Sequence, residues 1–136
     1  MIWELLRRGH TGRIASLVSV RYLEDLAYDK IHRRLRELFP HYAYRAMATR
    51  EPEESDEHLQ DLLETGTLQA LADFPLDPSG TRIFLCGNPG MIGPPRELSG
   101  KRVFPDENGL VELLEARGFN GDPSAGPVNI HYERYW

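Results

Sequence analysis

Apolar positions along the chain fall into blocks with two different periods. Residues 14–20 and 83–85 are short, nearly continuous apolar runs of the kind that forms buried strands. Residues 42–49 alternate well enough for a further strand, and residues 128–132 form a last one. Between them the spacing turns helical. Residues 25–39 place Leu26, Ile31, Leu35 and Leu38 on one face, and Pro40 ends the helix. Leu59, Leu62 and Leu63 mark a helix that follows the polar loop 51–57 and stops at Gly66. Residues 109–116 form another, stopped by Gly118. Trp3, Leu5 and Leu6 read as a helix end closed by Gly9 and Gly12, with no capping residue to open it. Residues 90–108, rich in Pro and Gly, are expected to be one long loop.

Strands alternating with helices predict an α/β fold, a parallel sheet joined by right-handed crossovers. Ligands of such sheets bind beyond the carboxyl ends of the strands. The Ile83–Leu85 run meets that rule, because Gly87, Asn88 and Pro89 follow it with backbone freedom and then a rigid turn.

The 136 residues allow one domain with a single core. A net charge of −5 without long runs of one sign argues against a nucleic-acid binder, whose surface must attract phosphates. The single cysteine excludes an internal disulfide and most metal cages, so no metal site is expected and a reducing, cytoplasmic setting is the default. Glu4 and the arginines at 7 and 8 break the opening stretch as a secretory signal, and no stretch is long enough to span a bilayer.

At Ser19-Val20-Arg21-Tyr22, Ala48-Thr49-Arg50-Glu51, Leu85-Cys86-Gly87-Asn88-Pro89 and Glu133-Arg134-Tyr135-Trp136, the chain resembles the nucleotide-binding half of bacterial ferredoxin-NADP reductases. The resemblance spans nearly the whole chain, with the motifs in the family's order. It implies an incomplete Rossmann-like parallel sheet with flanking helices, residues 1–136 forming a partial NAD(P)-binding domain. The family's FAD-holding barrel, first strand and Gly-Thr-Gly turn have no counterpart in the sequence. In the family's strand order, 3-2-1-4-5, that first strand is the central one. Its loss leaves two neighbours with unpaired backbone groups, each costing about 1–3 kcal/mol if buried. The expectation is a carboxyl-terminal fragment, or a gene model with a missed start, that does not fold readily alone.

The resemblance also assigns residues. Arg21 and Arg50 correspond to the arginines that bind the 2′-phosphate of NADP, as alternatives to two solvated arginines at strand ends. Where plant-type members carry Lys-x-Tyr, this chain has Asp56-Glu57-His58. Asp56 would repel a phosphate, which leaves NADP against NAD open, and His58 either presents its ring to adenine or is an ordinary helix histidine. Cys86 matches the cysteine beside the nicotinamide, the alternative being a buried thiol acting as a small hydrophobe. Gly87, Asn88 and Pro89 would admit the cofactor, with Met91 packed nearby or in the core. Glu133 matches a carboxylate near the nicotinamide. Tyr135 matches the aromatic that covers one flavin face, and Trp136 is an extension seen in bacterial members.

The implied activity moves electrons between ferredoxin or flavodoxin, FAD and NADP(H), the flavin doing the hard chemistry. Lys30, Arg33, Arg34 and Arg36 form either a steering surface for an acidic electron carrier or a solvated helix face. The competing reading is a non-catalytic fragment with weak or no nucleotide binding. Direction of electron flow and oligomeric state are not fixed by the sequence.

Overall fold

The computed structural model describes residues 1–51, 57–104 and 108–134, the side chain of Arg134 excepted. Asp56, Tyr135 and Trp136 therefore lie outside the described residues. The chain divides into two compact units, Met1–Pro75 and Leu76–Trp136.

The first unit opens with helix α1 (Ile2–Arg7), then strand β1 (Ile14–Val20), a single 3-10 turn (Leu23–Asp25), helix α2 (Asp29–Leu38), strand β2 (Tyr42–Ala48) and helices α3 (Leu59–Glu64) and α4 (Thr67–Ala72). β1 and β2 run parallel in register from Ile14 against Tyr42 to Val20 against Ala48. Leu6, Leu35, Tyr42 and Tyr44 form a buried cluster, with Ile2, Ile14, Val18, Phe39 and Ala46 packed against it. Apolar side chains from a helix before β1 and a helix after it thus close over one face of the strand pair, which is how a βαβ unit hides its sheet.

The expected helix over 25–39 begins four residues later. Asp25 accepts a hydrogen bond from the Tyr22 N–H at 3.2 Å and closes a local turn. The chain then leaves helical geometry at Leu26, where ψ is 69°. Of the expected apolar face, Leu35 is buried while Ile31 and Leu38 are 56% and 53% exposed, so two of its four members are not core. α4 was not expected. Gly66, at φ 77°, breaks the pattern where the helix over Leu59–Leu63 was to end, and the chain resumes one turn later.

The second unit contains strand β3 (Ile83–Gly87), helix α5 (Pro89–Ile92), strands β4 (Arg96–Leu98) and β5 (Lys101–Val103), helix α6 (Leu110–Glu115) and strand β6 (Ile130–Arg134). β3 and β6 are parallel, Ile83 facing Ile130 and Gly87 facing Arg134. The buried apolar side chains of this unit are Ile92, Leu110, Val111, Leu114, Phe119 and Ile130. The region expected to be one loop, 90–108, instead carries α5 and an antiparallel hairpin. Ser99 and Gly100, at φ 52° and 73°, supply the paired positive dihedrals that a two-residue hairpin turn needs. The Arg102 guanidinium holds the Glu115 carboxylate through two bonds of 2.5 Å and so ties the hairpin to α6.

β3 is not the buried strand its composition predicts. Phe84 is 55% exposed and Cys86 is exposed, and β1 is only half-buried at all seven positions. Each strand pairs along one edge only among the described residues, the two parallel pairs being separate two-stranded sheets. The result is an α/β structure of parallel strands with flanking helices.

Candidate functional site

In the first unit the carboxyl ends of β1 and β2 carry Arg21 and Arg50. The parallel ladder continues past the strands. The Thr49 N–H donates to the Val20 carbonyl at 3.0 Å, and the Arg50 N–H to the Arg21 carbonyl at 3.0 Å. The Glu51 carboxylate then accepts the Leu23 N–H at 2.9 Å, which staples the two loops together. Both arginines are exposed, and neither guanidinium pairs with a carboxylate among the described residues. Two cations on adjoining backbone, neither paired with an acid among the described residues, fit a phosphate dianion, since each offers several N–H donors. The sequence had not singled out Glu51 as the residue that joins the loops. Its role depends on a cross-strand neighbour that no local pattern identifies.

His58 is exposed and sits at the amino end of α3, where its backbone N–H donates to the Asp61 carboxylate at 2.7 Å. That bond fixes the backbone and leaves the ring at the surface.

In the second unit, Cys86 and Glu133 are register partners of the parallel pair. Side chains alternate along a strand, so Cys86 and Glu133 share one sheet face with Phe84 and His131. Phe84 and His131 stack with ring centroids 5.0 Å apart and planes 18° from parallel. Cys86 and Glu133 are both exposed.

The turn beyond Cys86 is built by its own residues. Gly87 has φ 149°. A Cβ there would lie 3.0 Å from the Met91 methyl, so Met91 packs over the glycine. Asn88 spends its side-chain oxygen on the Gly90 N–H at 2.7 Å, and Pro89 follows as the first residue of α5. Asn88 thereby shapes the turn, with its side-chain oxygen occupied. Behind the turn, Gly93 and Gly109 approach so closely that a Cβ on either would lie 2.4 Å from the other's Cα.

Among the described residues no group of histidine, cysteine and carboxylate side chains has the arrangement to hold a metal ion. No helix among them is long and apolar enough to cross a membrane.

No family model matches the chain. The chain is similar to Ferredoxin--NADP reductase A of Sorangium cellulosum, with 33% identity over 124 residues. That alignment takes in 90% of this chain and 38% of the reductase, so the chain spans well under half the length of the curated relative it matches.

Proposed function

We propose that residues 1–136 are the partial NAD(P)-binding domain of a cytoplasmic flavin-dependent reductase that transfers electrons between ferredoxin or flavodoxin, FAD and NADP(H). The observation that carries this reading is the pairing of Cys86 with Glu133, immediately before the Gly87-Asn88-Pro89 turn. A thiol and a carboxylate stand side by side at the carboxyl end of a parallel pair, where α/β sheets bind their ligands. The similarity to a ferredoxin-NADP reductase over most of the chain agrees with it.

In this reading Arg21 and Arg50 hold the 2′-phosphate, and His58 offers its ring to adenine. Gly87, Asn88, Pro89 and Met91 form the wall against which the nicotinamide lies. Cys86 and Glu133 border the nicotinamide, with Tyr135 and Trp136 toward the flavin. FAD supplies the hydride chemistry when bound. The residues of this chain position the nucleotide, and none is asked to act as an acid or a base.

The test is a calorimetric titration of the chain with NADPH and NADH, together with alkylation of Cys86. Saturable NADPH binding that slows alkylation supports the assignment. No saturable heat at millimolar NADPH, or a rate of alkylation that saturating NADPH leaves unchanged, rejects it. A second reading, a non-catalytic fragment with weak or no nucleotide binding, is favoured by the unpaired second edges of β1 and β3 among the described residues. Absent binding by a folded chain is the result that reading requires.

A further inference from the structure

A groove of about 260 Å³ in the first unit is lined by Arg33, Arg36, Tyr44, Arg45 and Ala46. Three of these five residues are arginines and none carries a carboxylate. The other charges of α2 make the selection informative. Arg34, which does not line the groove, is paired with Glu37 at 2.6 Å. Arg36 and Arg45 line it, and neither pairs with a carboxylate among the described residues. A chain of net charge −5 thus places two arginines without a carboxylate partner among the described residues at one concavity. Bringing like charges together is unfavourable unless an anion joins them.

The third arginine is set in place by its neighbours. The Arg33 Nε–H donates to the Asp29 carboxylate at 2.6 Å. The Tyr44 hydroxyl donates to the other oxygen of the same carboxylate at 3.2 Å. The Tyr44 ring is stacked on His32, with centroids 4.7 Å apart. Arg33 therefore spends its Nε–H on Asp29 and keeps its terminal N–H groups for another acceptor. A guanidinium held in this way loses less freedom on binding, which favours affinity.

We propose that this groove is an anion site for a compact phosphoryl ligand, a phosphate or pyrophosphate group gripped by Arg33, Arg36 and Arg45. Guanidinium forks match phosphate oxygens in geometry as well as charge. The site is separate from the one assigned to Arg21 and Arg50, which lies past the ends of the strands, whereas Arg45 and Ala46 lie within β2.

Titration of the full chain with inorganic phosphate and with pyrophosphate, followed by the arginine Nε–H resonances, tests the proposal. Pyrophosphate is expected to saturate in the millimolar range or below and to shift Arg33, Arg36 and Arg45. R36Q and R45Q should each weaken it by about tenfold, the scale of one charge-assisted hydrogen bond, while R34Q should leave it unchanged. Far-UV circular dichroism checks that each variant is folded. Saturation of phosphate alone with the same variant dependence also supports the site and limits it to one phosphoryl group. The proposal is overturned if neither anion saturates, if R34Q weakens binding as much as R45Q does, or if the groove's resonances respond only to an acidic protein. R21A and R50A variants that lose NADPH and keep pyrophosphate binding would show the two sites to be independent.

Discussion

The backbone N–H of Arg50 donates to the carbonyl of Arg21 across 3.0 Å, beyond the last paired residues of β1 and β2. The two arginines are therefore placed by the same ladder that sets the strands, and an error in strand register would separate them. Alanine at either position is expected to lower NADPH affinity by about 10- to 100-fold, the scale of a charge-assisted bond of about 1.5–3 kcal/mol. NADH, which lacks the 2′-phosphate, should bind the variants nearly as it binds the parent chain. Because the residues adjoin, the double variant should fall short of the summed losses. Parallel titrations of the two nucleotides measure all three effects.

Gly93 and Gly109 touch backbone to backbone, with room for neither Cβ. Gly109 has an ordinary φ of −66°, so G109A tests the contact without adding dihedral strain. Overpacking of this kind costs about 1–3 kcal/mol, which should appear as a lower urea midpoint. Gly80 is the control. A Cβ there would meet only the Asp77 carboxylate, at 4.0 Å. G80A should be neutral, or stabilising by up to about 1 kcal/mol through the unfolded chain.

At Gly87 the strain is in the backbone as well. The φ of 149° is one that side chains rarely adopt, and a Cβ would press on the Met91 methyl at 3.0 Å. G87A is expected to cost about 1–3 kcal/mol. Adding M91A should recover only the share due to the contact. Equal stability of the single and double variants would place the whole cost in the dihedral angle, and full recovery would place it in Met91. Urea midpoints of the three chains decide between these.

How far the sequence reaches is clear from these same positions. β1 is read to the residue, because Ile14 to Val20 is an apolar run between a glycine and a charged turn. Cys86 and Glu133 are found as separate candidates, yet their pairing emerges only from the β3–β6 register, a contact across 46 intervening positions. Burial is misread for Phe84 and Ile31, because apolar composition reports what a side chain prefers to meet and not whether a neighbour is there. The hairpin of β4 and β5 is hidden by its brevity. Three-residue strands carry too little alternation to stand out from a loop, and its Ser-Gly turn is a weak signal beside the surrounding prolines. The staple made by Glu51 and the carboxylate bridge from Arg33 to Tyr44 have no local pattern at all.

His32 supplies a pH dependence whose sign follows from its surroundings. Its Nδ1 lies 2.6 Å from the Tyr42 hydroxyl, and its ring is stacked on Tyr44. Burial lowers the imidazole pKa, and the Asp29 charge opposes this more weakly. Tyr44, its pKa pushed up to about 12 by burial and then by its bond to Asp29, stays neutral throughout the relevant range. Arg33 stays charged. A histidine with a depressed folded-state pKa binds its proton more readily in the unfolded chain, so stability must fall as pH drops through the unfolded value near 6.5. The urea midpoint is thus expected to decline between pH 7 and pH 5. The carboxylates with lowered pKa values, Asp29 among them, contribute their own losses at more acidic pH. H32Q keeps a polar side chain without a titrating ring, and should flatten the decline while lowering the midpoint at pH 7 through loss of the stack. A slope unchanged in H32Q would assign the pH dependence to another group.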